Sequence, residues 1–293
     1  MKRGFGLASA ITLVLLIAHG PRAASEPQSA EPSTAQHVYI SPACIWISYE
    51  HPELEPLSRV CESALSMRRS LPNFICDQET KCSYPVPLMS QTRTVYREGV
   101  STVTAQVTYA DGEEHFENIV IDRHPAASIP PNFGMWSEGE FSPLVLSVLH
   151  PKNHPELKLR KDESDKSKEW VFDYRIPKET NAGWAWHLND KDVVPGYHGS
   201  IWVDKATGQM VRMTRVSQSS TGEIDSSVPY TYVGNETVYS EVTIQGLGKF
   251  YLPVLSQLVS CERGMNICKR NILTFKACRR FAAKSRIITD SPQ

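Results

Sequence analysis

The sequence predicts a mostly β, α+β fold in which a curved antiparallel sheet or half-barrel wraps one N-terminal helix and one short internal helix. Short runs of alternating apolar residues recur from residue 74 onwards and are separated by turn residues. Only two stretches have the apolar spacing of a helix. Many short strands joined by tight turns are typical of antiparallel meanders and barrel-like folds.

The first 25 residues have the layout of a cleavable secretory leader. Lys2 and Arg3 precede an apolar run over residues 7–18, and small residues follow at 23–25. The run is too short to cross a bilayer, which requires roughly 20 residues. We therefore expect residues 1–25 to be a signal peptide, with no stable transmembrane anchor and a periplasmic or secreted mature protein.

The mature chain is expected to begin with a tail and continue as one domain. The segment after the leader is rich in Pro, Ser, Ala and Glu, so residues 26–43 are predicted to be a flexible tail. Residues 44–293 are predicted to form a single β-rich domain. Its first helix starts near Glu53, has Pro56 in its first turn, and ends before Pro72.

The next residues alternate like strands and then change to a second helix. Asp111-Gly112 between alternating runs predicts a tight hairpin, because primed turns need positive φ. Ser142 is the expected cap of the second helix and Pro143 its first residue, and the apolar run 144–149 predicts burial. The other predicted strands are residues 74–83, 92–96, 103–109, 170–176, 183–188, 200–203, 210–217, 230–233, 237–244, 250–260, 269–281 and 285–288.

Seven cysteines in the mature chain are typical of an oxidising compartment. Cys261 and Cys268 flank a glycine-containing turn between two strand-like runs, so we predict a disulfide between them. Cys76 and Cys82 lie roughly 20 Å apart if they share one strand, which is too far for a bridge.

The remaining pairs are open at this stage. Cys44, Cys61 and Cys278 are available as partners for Cys76 and Cys82, and the sequence does not choose among them. The odd number leaves one thiol unpaired or bonded between molecules. Cys61 is a candidate for that thiol, although a structural role is the favoured interpretation.

Charge argues against a nucleic-acid partner. Removing Lys2, Arg3 and Arg22 with the leader changes the formal net charge from −1 to −4. The stretch 261–286 is basic, and we interpret it as the solvated face of terminal strands rather than as an anion-docking patch.

No catalytic constellation, cofactor motif or metal site is predicted. The sequence lacks a nucleophile elbow, a phosphate-binding loop and a dinucleotide fingerprint. His150 and His154 have the spacing of metal ligands on a helix, but Pro151 and Pro155 prevent that helix. We therefore expect a protein that is not an enzyme.

Three tryptophans are the candidate ligand-binding residues. Trp184, Trp186 and Trp202 lie on neighbouring predicted strands, and the first two share one face by the two-residue period. Large rings line apolar pockets and sugar platforms. Core packing is the alternative role, because aromatic residues in strands are mostly buried.

Residues 199–212, GSIWVDKATGQMVR, form an apolar strand that ends in Asp and turns through Thr-Gly into a second strand. This stretch resembles the corresponding hairpin of lipoprotein-sorting carrier proteins of the periplasm, the LolA/RseB-type half-barrel superfamily. The order of helix, strands, short helix and further strands is also similar. The resemblance implies a curved sheet around helices with an apolar cavity, and a lipid or lipoprotein as partner. Residues 77–281 also resemble uncharacterised exported proteins of soil bacteria.

We therefore expect an exported, non-catalytic binding protein that takes an apolar ligand such as a lipid or a lipoprotein acyl chain. The alternative is a cell-envelope module that binds a protein or glycan through exposed aromatic side chains. A hydrolase is the third interpretation, and it would need a cleft that gathers His187, His198 and an acidic side chain.

Overall fold

The fold is built on one eleven-stranded sheet and a separate two-stranded ribbon. A computed structural model of the chain describes residues 42–49, 51–88, 95–129, 133, 135–136, 139–141, 144–188, 191–265 and 267–281. Within these residues the helices are α1 (Pro42–Tyr49), α2 (Glu55–Ser70), α3 (Leu144–Val148) and α4 (Lys161–Ser164). Single 3-10 turns occupy Pro52–Leu54, Pro151–Asn153 and Ser219–Thr221. The strands are β1 (Phe74–Leu88), β2 (Val95–Ala110), β3 (Glu113–Ile121), β4 (His124–Pro125), β5 (Glu156–Leu159), β6 (Glu169–Ile176), β7 (Trp186–Leu188), β8 (Lys191–Val193), β9 (Tyr197–Asp204), β10 (Met210–Gln218), β11 (Tyr230–Ile244), β12 (Gly248–Glu262) and β13 (Lys269–Arg280).

The strand order of the large sheet is β4-β3-β2-β1-β13-β12-β11-β10-β9-β6-β5, and all neighbours are antiparallel. The first four strands lead to one edge of the sheet. The chain then crosses through α3 to the opposite edge, and the later strands return to the centre, where β13 pairs with β1. The prediction of a mostly β fold on one open antiparallel sheet is confirmed.

Two tight turns form as their residues dictate. Asp111 and Gly112 join β2 to β3 with φ of 55° and 89°, the positive values that a two-residue hairpin needs. Between β9 and β10, one carboxylate oxygen of Asp204 accepts hydrogen bonds from the backbone of Ala206 and from the backbone and hydroxyl of Thr207. These bonds lower the pKa of Asp204 and fix the turn.

A disulfide joins the two strands that meet at the centre of the sheet. Cys76 of β1 is bonded to Cys278 of β13, and the two Cα atoms are 4.1 Å apart. The pairing shifts here, because Ala277 adopts φ of 50° and an extra residue is accommodated in β13. Both sulfurs belong to buried residues that pack in an apolar cluster with Phe74.

The helices cover one face of the β6–β11 half of the sheet, which is called the covered face below. It includes Ile201 of β9, Met213 of β10 and Tyr239 of β11, which pack in one buried cluster with side chains from α1, α2 and α3. A disulfide between Cys44 of α1 and Cys61 of α2 fastens these two helices together. The main core therefore lies between the helices and this half of the sheet.

Residues 139–141 pack against the other half of the sheet. Glu114 of β3 accepts hydrogen bonds from the backbone N–H groups of Gly139 (2.9 Å) and Phe141 (2.7 Å). The ring of Phe141 lies 5.0 Å from that of Phe74 and 4.7 Å from that of Phe275. The carboxylate thus anchors this segment over the β1–β13 junction, and aromatic packing fills the space beneath it.

Several elements differ from the sequence-based expectation. Helix α1 begins at Pro42, inside the last two residues of the predicted tail, and its apolar residues are too evenly spread to give a helical pattern. The predicted strand over 183–188 is reduced to β7, which pairs with β8 in the separate ribbon. The predicted strands 230–233 and 237–244 are one strand, β11.

Some predictions fall outside the described residues. They concern the signal peptide, residues 26–41 of the tail, the capping of the second helix at Ser142 and Pro143, and the strand at 285–288. These remain predictions. Every helix that the structure describes lacks the length and apolar character required to cross a membrane.

Candidate functional site

A cleft lies between α2 and the covered face of the sheet, and it is called the α2 cleft below. Its volume is about 350 Å³. It opens where α2 passes over the ends of β10, β11 and β12. Its lining residues are Val60, Ser63, Ala64, Ser66, Met67, Ser70, Val145, Gln209, Met210, Tyr239, Lys249, Phe250 and Tyr251.

The floor of the α2 cleft is apolar because α2 is amphipathic. Val60 and Ala64 lie one turn apart on the buried side of the helix, and Met67 continues this side towards the solvent. Across from them Met210 and Tyr239 are buried on the sheet. Ala64 contributes only a methyl group to the lining, so it leaves much of the space between helix and sheet unfilled.

The mouth of the α2 cleft carries polar side chains. Lys249 is paired with Glu241 at 2.7 Å, and both side chains are exposed. The hydroxyl of Ser63 lies 3.4 Å from the side-chain oxygen of Gln209. An apolar floor with a polar rim is the usual form of a site for a small apolar ligand.

A buried polar cluster lies beyond Tyr239 on the same face. We call it the Arg215 cluster, and it comprises Trp184, Arg215, Ser217, Asn235 and Tyr239. Arg215 is only 5% exposed. Its Nη2 donates to Oδ1 of Asn235 over 3.3 Å, and its guanidinium carbon lies 5.0 Å from the ring centre of Trp184. In the described part of the chain, Nε of Arg215 and the hydroxyls of Ser217 and Tyr239 have no hydrogen-bond partner.

The buried hydroxyl of Tyr239 lies among charged groups of both signs. The guanidinium of Arg215 is one of them, and the carboxylates of Glu140 and Glu114 are the others. Burial raises the pKa of Tyr239 well above its ordinary value; the charge of Arg215 opposes this, and the carboxylates of Glu140 and Glu114 add to it. The phenol is therefore neutral and is able to donate a hydrogen bond.

The three predicted tryptophans do not form one wall. Trp184 is half-buried and lies just before β7, and its ring contacts that of Trp186 at 5.5 Å and that of Tyr197 at 5.2 Å. Trp186 is buried in another cluster with Tyr230. None of the three lines the α2 cleft.

Trp202 lies on the opposite face of the sheet. It alternates with Ile201 and Val203, which belong to the helix-covered core. The guanidinium of Arg212 stacks on its ring at 3.8 Å. The prediction that Trp184 and Trp186 share one face requires both residues to lie in one strand. Strand β7 begins at Trp186, so the two-residue alternation does not extend to Trp184.

The two histidines considered for hydrolysis are in separate pairs. Nδ1 of His187 lies 3.1 Å from Asp192, and both side chains are exposed. Nδ1 of His198 lies 2.8 Å from the buried carboxylate of Glu223. Burial raises the pKa of Glu223, but hydrogen bonds from His198 and from the backbone of Gln218 outweigh it and leave the pKa lowered.

The cysteines form three disulfides in the described residues. Cys261 and Cys268 are bonded across the β12–β13 hairpin with their Cα atoms 4.2 Å apart. Cys61 is bonded to Cys44, so the suggestion that Cys61 is the free thiol is wrong. The free cysteine is Cys82, which is buried on β1. Three disulfides indicate an oxidising location outside the cytoplasm.

Other charged groups have ordinary structural roles. The basic terminal strand has ion pairs from Lys269 to Glu262, from Lys276 to Glu79 and from Arg279 to Asp77. His150 and His154 flank a 3-10 turn. Where the structure describes the chain, it has no group of three or more metal-ligating side chains arranged around one point.

Comparison with known proteins yields structural neighbours. No protein-family model matches the chain, and no curated protein matches it. One matching solved structure is a Vibrio parahaemolyticus domain described as an outer membrane lipoprotein-sorting protein, with a TM-score of 0.33 and 12% identity, covering 78% of this chain and 94% of that one. The MucA/MucB complex of Pseudomonas aeruginosa matches with a TM-score of 0.16 and 9% identity, covering 78% of this chain and 99% of the matched chain.

Proposed function

We propose that this protein is an exported, non-catalytic binding protein of the periplasm or the secreted fraction, and that it holds an apolar ligand such as a lipid or acyl chain in the α2 cleft. The observation that carries the proposal is the cleft itself, a largely apolar space of about 350 Å³ between a helix and the covered face of the sheet. Ligand pockets range from roughly 300 to 1,000 Å³. The volume therefore favours a single acyl chain over a multi-chain lipid anchor.

The three disulfides support an oxidising location, and the separate histidine pairs give no support to hydrolysis. A hydrolase needs a nucleophile, a base and an orienting group in one place. The predicted role of Trp184, Trp186 and Trp202 in ligand binding remains a separate proposal.

The test is a binding measurement on protein purified from an oxidising compartment. Native mass spectrometry followed by solvent extraction detects a co-purifying amphiphile, and equilibrium binding then gives its affinity. Met67→Trp should fill the mouth of the α2 cleft and weaken binding at least tenfold. Arg69→Trp places the same ring on an exposed part of α2 outside the cleft and should leave the affinity unchanged.

A clean apo mass that does not change after incubation with fatty acids, alcohols or phospholipids would overturn the proposal. That result would favour the cell-envelope module that binds a protein or glycan. Equal affinities of the Met67→Trp and Arg69→Trp variants would show that the ligand binds elsewhere.

A further inference from the structure

The charge at the mouth of the α2 cleft is balanced. Among the described residues that line the cleft, Lys249 is the one charged side chain. Its Nζ donates a hydrogen bond to Oε1 of Glu241 over 2.7 Å, and this bond raises the pKa of the lysine. Glu241 is close to the cleft, because it lies two residues after Tyr239 on β11 and is opposite Tyr251 of β12. A ligand at the mouth therefore meets both charges.

The rest of the polar lining is neutral. Ser63, Ser66 and Ser70 recur every three or four residues, so they lie along one side of α2 over roughly 10 Å, and they are called the serine row below. Gln209 lies just before β10, and its Oε1 is 3.4 Å from the hydroxyl of Ser63. Hydroxyl and carboxamide groups both donate and accept hydrogen bonds. This lining therefore matches ligand groups that also do both, as alcohols do.

A charged head group gains little at this mouth. An anion that approaches Lys249 also approaches the carboxylate of Glu241, and it has to displace that carboxylate to form an ion pair. Exposed ion pairs contribute only about 0–1 kcal/mol, so the exchange offers little in return. Moving an ionised group from water to the edge of an apolar floor costs free energy. A neutral head group avoids this cost.

We propose that the ligand of the α2 cleft is a single-chain amphiphile with an uncharged, hydroxyl-bearing head group, such as a monoacylglycerol. This inference rests on the proposed function and adds the class of ligand to it. The apolar chain lies on the floor of the cleft, against Val60, Ala64 and Met210. The hydroxyls of the head group exchange hydrogen bonds with Gln209 and the serine row. The pair of Lys249 and Glu241 disfavours charged amphiphiles.

The experiment compares three ligands with apolar chains of the same length: 1-dodecanoylglycerol, dodecanoic acid and dodecyltrimethylammonium. Equilibrium binding to the full delipidated protein is measured below the aggregation concentration of each ligand, at about pH 8, where the acid is ionised in water. We expect the glycerol ester to bind at least tenfold more tightly than either ion, which corresponds to about 1.4 kcal/mol.

Glu241→Gln tests the role of the ion pair. This variant leaves Lys249 without its carboxylate partner, so the affinity for dodecanoate should rise about fivefold and the preference for the glycerol ester should narrow. The matched control is Glu236→Gln on the same strand, which breaks the 3.6 Å pair with Arg212 outside the cleft. The control should retain the full preference.

Gln209→Met tests the hydrogen bonds of the head group. Methionine has a similar length and lacks the carboxamide, so this variant should bind the glycerol ester about fivefold more weakly. Gln257→Met makes the same exchange on β12, at a residue that does not line the cleft, and should bind the ester as the wild type does.

Each contrary outcome has a distinct meaning. Equal binding of the three ligands by the wild-type protein, or tighter binding of an ion, would refute the neutral head group and leave the apolar ligand intact. A preference that stays the same in Glu241→Gln would refute the role of the ion pair. Failure of all three amphiphiles to bind would refute the proposed function together with this inference.

Discussion

The disulfide between Cys76 and Cys278 should stabilise the fold far more than the one between Cys261 and Cys268. A cross-link stabilises mainly by restricting the unfolded chain, and the effect grows with the logarithm of the loop that it closes. The two loops span 202 and 7 residues. The chain-entropy relation then gives about 5 kcal/mol for the first bond and about 2 kcal/mol for the second. The expected difference in unfolding free energy is about 3 kcal/mol.

Two variants isolate this difference. Cys261→Ala/Cys268→Ala retains the central bond, whereas Cys76→Ala/Cys278→Ala retains the hairpin bond. Each is unfolded in urea with and without reductant, so that the side chains stay the same and only the cross-links change. The bond of Cys44 is present in both variants, and its contribution cancels.

Reduction should lower the unfolding free energy of the first variant by about 3 kcal/mol more than that of the second. Equal losses in the two variants would refute the reasoning. They would mean that the unfolded chain keeps β1 and β13 close together even without the bond.

Three further predictions concern single residues. Gly199→Ala should destabilise the protein by about 3 kcal/mol or more in urea unfolding, because the added Cβ would lie 1.9 Å from the carbonyl oxygen of Thr214; a loss below about 1 kcal/mol would contradict this. Cys82 should resist a maleimide reagent at pH 8 in the native protein and react at once in denaturant, because burial raises the pKa of its thiol to about 12; rapid native labelling would show that the thiol is accessible. The lowered pKa of Glu223 means that its charged form stabilises the fold above the ordinary glutamate pKa, and this contribution disappears as the pH falls through the lowered value. Unfolding free energies measured from pH 7 to 3 should fall more steeply for the wild type than for Glu223→Gln, and parallel curves would exclude the role of the His198 contact.

The sequence predicts local structure well where a short-range rule applies. The Asp111-Gly112 turn follows from the need for positive φ, and the antiparallel strands follow from apolar alternation. The order of the strands within the sheet cannot be predicted by such short-range rules. The pairing of β1 with β13 joins residues about 200 apart, and nothing in either strand alone specifies the other as its neighbour.

The candidate site is harder to predict for a physical reason. Val60, Ala64 and Met210 line the α2 cleft, but they have the same character as residues of the filled core, so their pattern gives no sign of an empty space. Arg215, between Met213 and Ser217, does break the apolar alternation of a predicted strand, as functional or strained positions often do, but it does not line the cleft.

The position of β13 has a consequence for synthesis. The chain emerges with β1 first, and β1 acquires β2 as its neighbour early, but its other edge stays unpaired until β13 has been made. Strand β12 waits for the same partner. Nascent chains that end before Lys269 therefore expose two long unpaired edges at once, which favours intermolecular association. The central part of the sheet can therefore form only after residues 269–280 have been synthesised.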